Sequence, residues 1–484
     1  MYKIIKLVFL IISLLHGRDK IISIQDFAAA CLEKHPEYQQ ELINLDLEKN
    51  LGEQLKSIYD VYLTGQLFYN YKQNEMIKME NLQSSVSNSI KEKELTNLGF
   101  NLSLQGQLPF AGTRYSLGYT VPKTVSVNRI SPFKQTTNFT AYNPYLSFRL
   151  SQPLLKNWFG VLDRHPLRQQ QLDRQIASIT TSEAAEELLS TIYNMYIDWY
   201  SLHNRVRILT ESLSNSYQLQ KSFRQKQVDG VAEKSELSEV REMVLEYEKN
   251  LVFTAAELKS MQQRIYAYYT GRAEAAPAAI KPSALVELPG LPEEIIPAAA
   301  RQMKILELTR RLLTNEYQKE LNAMLPELNA FLDIKLSGFN LKSESDRKWG
   351  GLEYKDFKTG LNIAYPLGNK KQRAQRRAAK MKLKRWALEQ KYFIFCFILN
   401  ADQLKRRITA CRKILQIDKK LITELELQIK EENKKYKQGR GDLYFIIEKK
   451  NKLLNQQLTA LEDNIRLLKL KIEYLAMGDK LYNK

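Results

Sequence analysis

The residue types that carry most catalytic and metal chemistry are few in this sequence and lie far apart. Its 484 residues contain three cysteines and four histidines. The cysteines, Cys31, Cys396 and Cys411, follow neither metal-ligand spacing nor a disulfide framework, and the scattered histidines form no catalytic dyad. A glycine-rich phosphate-binding loop does not occur either. The sequence therefore predicts no catalytic residue, no metal site and no cofactor, so an enzyme is the least favoured class.

Positive charge is the second chemical feature. Lysine and arginine outnumber aspartate and glutamate by 73 to 54, which gives a net charge of +19. Such an excess suits either nucleic acid or an anionic surface. Nine of the cations fall within residues 370–385: Lys370, Lys371, Arg373, Arg376, Arg377, Lys380, Lys382, Lys384 and Arg385. They surround the predicted helix, so one interpretation is a solvated helix face and the other is contact with an anionic membrane surface.

The N-terminus predicts export. Lys3 and Lys6 precede an apolar stretch over residues 7–15, and polar and charged residues follow over 16–20. This order is typical of a secretory signal whose apolar part is too short to span a bilayer, with a buried N-terminal helix as the alternative. We assign residues 1–17 to a signal peptide. An exported protein has no nucleic acid partner, which argues against a basic coiled coil that binds nucleic acid in the cytoplasm.

Proline marks where long helices can form, because it breaks the interior of a helix. None occurs between Pro166 and Pro277 or after Pro366. Glycine interrupts each of these stretches once, at Gly230 and at 439–441, so each stretch predicts a helical hairpin. The predicted hairpin arms are 155–229 with 232–270 and 367–438 with 442–477, and two short helices are predicted at 36–58 and 293–325.

Apolar residues recur every 3.5 positions in the second arm of each hairpin, with one polar member in each seam. The first seam is Leu237, Val240, Val244, Tyr247, Leu251, Thr254, Leu258, Met261, Ile265 and Tyr268; the second is Ile447, Asn451, Leu454, Leu458, Leu461, Ile465, Leu468, Ile472 and Leu475. This period predicts coiled-coil packing. A helix of about 70 residues spans roughly 105 Å, about the length of two short helices end to end. We therefore expect a tube wall in which long helices alternate with stacked pairs of short ones.

Six segments alternate apolar and hydrophilic residues as strands do. They cover 61–71, two strands of a hairpin at 98–121, 146–150, 328–338 and 357–365, at about nine residues each. Strands with one apolar and one hydrophilic face are typical of outer-membrane barrels, although a soluble antiparallel sheet has the same pattern. Six strands are too few to close a barrel, so several subunits must share one.

The same order of elements occurs twice. A first repeat covers 18–271, with strands at 61–152 and a turn near Gly230; a second covers 293–478, with strands at 327–366 and a turn near Gly439. A proline-rich linker at 272–292 separates them, and 479–484 forms a C-terminal tail.

This plan resembles the TolC-like outer-membrane efflux family over essentially the whole mature chain. The segments that carry the resemblance are 24–28 with 35–38, Ser151-Gln152-Pro153-Leu154-Leu155, and 436–443. The resemblance implies a mainly α protein with a membrane β part. Long coiled-coil hairpins would form a periplasmic α-barrel, and the strands would join a shared transmembrane β-barrel in a homotrimer. The hairpin at 98–121 departs from the family plan of two strands per half, so either the barrel is larger or the hairpin folds elsewhere.

The resemblance also implies partners and sites. It implies an exit duct in the outer membrane for efflux or type I secretion, which meets a periplasmic adaptor, an inner-membrane pump, lipid and lipopolysaccharide. Gly230, Gly439, Arg440 and Gly441 would form the adaptor-docking tips, and Tyr436, Asp442 and Glu448 are candidates for the periplasmic gate. The alternative roles are a simple chain reversal for the glycines and a solvated helix charge for Glu448.

One alternative function stays open at this point, and the cargo is not specified. A secreted or surface-attached coiled-coil structural protein would explain the helices but not the strands. If the basic segment at 370–385 meets the inner leaflet, its first members, Lys370, Lys371 and Arg373, should matter more than Lys382, Lys384 and Arg385.

Overall fold

The computed structural model describes residues 20–78, 89–109, 111–131, 135–229, 233–272, 280–283, 288–338, 340–341, 352–441 and 443–482. The predicted signal peptide, Gly230 and Asp442 lie outside these residues. The chain divides into two compact units. The helical unit comprises Met1–Asp46, Ile176–Glu307 and Leu388–Lys484, and the sheet unit comprises Leu47–Gln175 and Leu308–Ala387.

Seven α-helices occur in the described residues. They are α1 (Ile24–Lys34), α2 (Pro36–Lys56), α3 (Val161–Val228), α4 (Lys234–Thr270), α5 (Arg301–Ala323), α6 (Lys370–Lys437) and α7 (Leu443–Met477). The two predicted hairpins, α3 with α4 and α6 with α7, are confirmed to within six residues at every end. Cys31 lies buried in α1.

The long helices begin a few residues later than predicted because an asparagine turns the chain before each of them. Asn157 and Asn369 both adopt left-handed φ values, 65° and 42°, which asparagine tolerates better than most residues. The side-chain oxygen of Asn157 accepts a hydrogen bond from the Leu162 amide at 2.8 Å. Asn369 is buried and donates from Nδ2 to the Met324 carbonyl at 3.1 Å. Each asparagine therefore fixes the start of a long helix.

The predicted coiled-coil seams contribute to the core of the helical unit. Most seam residues of α4 and α7 are buried, and Leu237, Val244 and Leu454 belong to one cluster. The polar seam residue Asn451 accepts a hydrogen bond from the Tyr247 hydroxyl at 2.6 Å. Burial raises the pKa of Tyr247 to about 12, so this hydroxyl stays protonated and can donate. The one polar position in the second seam is thus satisfied by the seam of the other hairpin.

An arginine whose side chain is only 13% exposed joins three segments of the helical unit. Arg301, at the start of α5, places Nη1 at 3.0 Å from Oε2 of Glu186 on α3. Its backbone amide donates to Asp479, and its Nη2 donates to the Tyr482 carbonyl. The Glu186 carboxylate also accepts the amides of Leu481 and Tyr482, each at 2.8 Å. The predicted C-terminal tail is therefore held in place over its first residues.

Part of the predicted linker is also ordered. Strand β1 (Lys20–Ile22) pairs in parallel with Ile280–Pro282. The buried Tyr196 hydroxyl donates to the Ile22 carbonyl at 2.7 Å and accepts the Ser283 amide at 2.9 Å. These bonds tie the chain before α1 and the segment after α4 to the long helix α3.

The sheet unit contains one antiparallel sheet of eight strands. They are β2 (Tyr62–Lys78), β3 (Ser89–Gln107), β4 (Arg114–Ser131), β5 (Gln135–Tyr142), β6 (Tyr145–Pro153), β8 (Glu327–Ser337), β9 (Asn340–Leu341) and β10 (Tyr354–Ala364), with Ile280–Pro282 numbered β7. The main path runs β10-β8-β6-β4-β3-β2. The predicted hairpin at 98–121 therefore joins the same sheet, between β2 and β6, and does not fold elsewhere.

The predicted strand length of about nine residues is wrong for the first part of the sheet. Strands β2, β3 and β4 contain 17, 19 and 18 residues. Strand β4 accommodates this length by pairing with β6 over Arg114–Thr120 and with β5 over Lys123–Ile130. The change falls opposite Asn143-Pro144, because proline cannot donate to the ladder. The sheet therefore has six strands on its main path and two more, β5 and β9, beside it.

Candidate functional site

The turn that ends α6 is closed by backbone hydrogen bonds around Gly439. The Gly439 amide donates to the Tyr436 carbonyl at 3.1 Å, and the Arg440 amide donates to the Lys435 carbonyl at 3.0 Å. This pair of bonds is the Schellman motif, which requires a left-handed residue at the position of Gly439, where φ is 72°. This geometry reverses the chain, as predicted, and the docking role of the tip stays a prediction.

Gly441 is required for a different reason. A β-carbon at this position would lie 2.8 Å from the Tyr436 backbone nitrogen, closer than real β-carbons come to other atoms. The preceding Arg440 is exposed between the two glycines. The tip of the second hairpin is therefore a compact turn in which a side chain is tolerated at Arg440 but not at its neighbours.

Tyr436 joins the two hairpins near this tip. Its ring centroid lies 5.3 Å from that of Phe223 on α3. Nζ of Lys226, also on α3, lies 3.9 Å from the centroid of the Tyr436 ring, within cation–π range. Sequence reasoning missed Phe223 and Lys226, although Phe223 continues the heptad spacing of the buried Leu209, Leu213 and Ser216.

The other candidate gate residue in the described chain has a local partner. The carboxylate of Glu448 accepts a hydrogen bond from Lys452, one turn further along α7, at 2.7 Å. This ion pair lowers the pKa of Glu448, so the carboxylate is ionised at neutral pH. At the first tip, the Glu233 amide donates to Glu236 in a capping box that starts α4. These acids have structural partners, and the role of Glu448 in a gate stays a prediction.

The sheet separates apolar from polar side chains across all six strands of its main path. One row of directly paired residues is apolar: Leu63, Leu104, Leu117, Phe148, Ile334 and Phe357. The adjacent row faces the opposite side: Thr64, Ser103, Gly118, Ser147, Lys335 and Asp356. Leu63 and Phe357, at the two edges, are 65% and 64% exposed. One face of the sheet is thus a continuous, uncovered apolar band.

Exposed aromatic and aliphatic residues gather at one end of this sheet. Strands β2 and β8 start there, and β6 and β10 end there, because neighbouring strands are antiparallel. The exposed large apolar residues at these ends include Tyr62, Leu155, Trp158, Phe159, Leu325, Tyr365 and Leu367. We call this set the junction belt. Aromatic residues at the rim of an apolar band are typical of membrane–water interfaces.

The described part of the chain offers no group of three or more metal-binding side chains. None of its helices is both long and apolar enough to cross a membrane.

Comparison with solved structures places this fold in a class. The chain matches CusC, whose crystal structures describe transmembrane channel formation, with a TM-score of 0.66 at 11% identity, over 94% of this chain and 92% of CusC. It matches the outer-membrane protein VceC from Vibrio cholerae with a TM-score of 0.62 at 12% identity, over 94% and 96% of the chains. The open-state outer-membrane channel MtrE from Neisseria gonorrhoeae gives 0.62 at 11%, over 95% and 89%.

These matches define the fold class of the chain. It has the fold of outer-membrane channels, and the resemblance to the TolC-like family is confirmed at the level of the fold. No protein-family model matches the sequence, and a search of curated proteins gives no match.

Proposed function

We propose that the protein is an outer-membrane exit duct that passes cargo from the periplasm to the exterior in an efflux or type I secretion system. The observation that carries this proposal is the apolar row that runs unbroken across all six strands of the main path, with polar residues on the opposite face. Lipid on one side and water on the other would satisfy both faces. A coiled-coil structural protein in water would leave the apolar face uncovered.

The duct is proposed to be a homotrimer. Within the described residues, the edge strands β2 and β10 each pair on one side only. Unpaired strand edges are not tolerated in lipid, so each edge requires a partner from another copy. The trimeric state is taken from the family resemblance, and pairing between β2 of one copy and β10 of the next would close the sheet.

We expect the purified protein to be a trimer that forms ion-conducting pores. The mass of the detergent-solubilised complex and conductance across a planar bilayer would measure this. A monomer without conductance would contradict the proposal, whereas pores from an assembly of another size would contradict only the trimer.

The apolar band gives a sharper test because two neighbouring residues of β2 face opposite sides. Leu67 is 86% exposed on the apolar face, and Gln66 pairs with Asn101 on the polar face. We expect Leu67→Arg to destabilise the inserted protein by about 2 kcal/mol, because arginine on a lipid-facing position of a barrel costs roughly 2–4 kcal/mol near the bilayer centre. Urea titration of protein reconstituted in vesicles would measure the loss.

Gln66→Arg is the matched control, since it adds the same side chain one position away. It should lose much less stability because its face meets water. Equal losses for the two variants would argue that the band does not face lipid.

The tips around Gly439 are proposed to dock a periplasmic adaptor that is fed by an inner-membrane pump. Arg440 is exposed between two constrained glycines, which supports a turn whose side chain is available to a partner protein. Phospholipid and lipopolysaccharide are the proposed surroundings of the sheet.

A further inference from the structure

The first turns of α6 carry a dense positive charge with no acidic residue on the same stretch of chain. Between Asp356 and Glu389 there is no aspartate or glutamate, while nine cations fall within 370–385. All nine are exposed, and the helix packs into the sheet unit through Ala379 and Trp386. Lys382 is partly neutralised from another helix, since its Nζ lies 2.8 Å from Glu316 on α5.

This charge stands where the helix itself disfavours it. The N-terminus of a helix has a partial positive charge, so acidic residues stabilise the first turn and cations destabilise it. The other long helix follows the rule, because α3 has Asp163 in its first turn. In contrast, α6 begins with Lys370, Lys371 and Arg373 and has no acid there. The first turn of α6 therefore has an unfavourable charge that an external anion would relieve.

The position of these cations relative to the apolar band is fixed. Strand β10 ends at Ala364, and Leu367, which is 97% exposed, follows it in the junction belt. The buried Asn369 then holds the helix start against the Met324 carbonyl, and its own carbonyl accepts the Arg373 amide at 3.1 Å. The order along the chain is thus apolar strand, interfacial belt, rigid turn and cations.

We infer that the first turn of α6 is a binding surface for the phosphate groups of anionic phospholipids, formed by Lys370, Lys371 and Arg373. This inference rests on the proposed membrane insertion, because the junction belt sets the level of the headgroups. Cations that lie directly beyond an interfacial belt meet the headgroup phosphates as salt-bridge partners. The surface fixes how deep the sheet lies in the bilayer.

The charge pattern favours a membrane surface over a soluble polyanion. The cations surround the exposed sides of the helix, which suits a planar layer of charges that the helix crosses. They also adjoin the exposed Tyr365 and Leu367. A soluble polyanion would leave this apolar surface in water, whereas a membrane would cover it.

The test offers the full-length protein a choice between two vesicle populations. Detergent is removed in the presence of equal amounts of phosphatidylcholine vesicles and vesicles with one third phosphatidylglycerol, each with its own fluorescent lipid. The readout is the ratio of protein in the two populations. Each cation near an anionic surface contributes a factor of about five, so the triple variant K370Q/K371Q/R373Q should lose up to roughly a hundredfold of the preference. Salt at 0.5 M should remove the preference of the wild type.

The control variant is K413Q/K419Q/K420Q, which removes three exposed cations from α6 at least 40 positions further along the helix. It should keep the wild-type preference. Lys382 is less suitable because its loss would also break the pair with Glu316.

Three outcomes would overturn the inference. The first is a proximal variant that keeps the full preference, and the second is a control variant that loses it equally. The third is wild-type protein that shows no vesicle preference, whether or not it co-sediments with insoluble cell-wall polymer through the same three cations. Failure of the proposed function is separate, because then no variant would insert or conduct in either vesicle population.

Discussion

Replacing both Gly439 and Gly441 with valine is expected to abolish transport while membrane insertion stays intact. Valine at 439 must adopt a φ of 72°, which costs roughly 1–2 kcal/mol or more for a β-branched residue. Valine at 441 would also clash with the Tyr436 backbone. The turn must therefore rearrange, and Arg440 with it. The sheet belongs to the other compact unit, so we expect it to insert without this turn.

Gly290→Val is the matched control for this change. Gly290 is exposed, has no atom within 4 Å of an added β-carbon, and has an ordinary φ. Accumulation of fluorescent amphiphilic dyes in cells that lack the native copy would report transport, and bilayer conductance of purified protein would report insertion. Equal loss of both in the tip variant would mean that these glycines serve folding alone.

A comparably large effect on stability is expected for Arg301→Met. Arg301 and Glu186 have side chains only 13% and 4% exposed. Removal of one member of a buried ion pair leaves the other charged and unpaired, which typically costs about 3–5 kcal/mol. Because Glu186 also holds the amides of Leu481 and Tyr482, these amides should exchange with solvent hydrogen far faster in the variant. Hydrogen exchange and urea unfolding of the helical unit would measure both effects.

An exposed pair between α3 and α7 provides the comparison. Arg205 and Glu462 approach to 2.8 Å with side chains 38% and 59% exposed. Arg205→Met should cost under about 1 kcal/mol, because surface pairs contribute little. If the two substitutions cost the same, the Arg301 cluster would be a surface network and the C-terminal segment would be held by other contacts.

The features that the sequence predicted well are those set by short-range periodicity. The heptad seam of α4 contains six of the seven buried residues of that helix, because a 3.5-residue repeat fixes one face of a helix whatever it packs against. The seam of α7 contains five of eleven, because α7 also buries residues such as Leu467 and Leu470 beside the seam. The turn at Gly439 followed from glycine's tolerance of left-handed geometry. The alternation in β3 and β4 likewise predicted which side chains share the apolar face.

The features that were missed depend on residues far apart in the chain. Arg301 meets Glu186 across 115 positions and Asp479 across 178, and no local pattern of charges marks such a meeting. The contact of Lys226 with Tyr436 joins different hairpins in the same way. Strand length was underestimated because alternation weakens in the polar parts of β2 and β3, while pairing with a neighbour still continues the ladder.

The hydrogen bond between Tyr247 and Asn451 limits how the two hairpins can move against each other. If α7 slid along α4 by seven residues in the direction that brings Leu458 opposite Tyr247, the Tyr247 hydroxyl would meet no acceptor. The buried hydroxyl and the amide would then each lose a partner, at about 1–3 kcal/mol each. Hinging and rotation of one hairpin against the other break no such bond if the pair acts as the pivot. This hydrogen bond thus disfavours such axial sliding of α7 along α4.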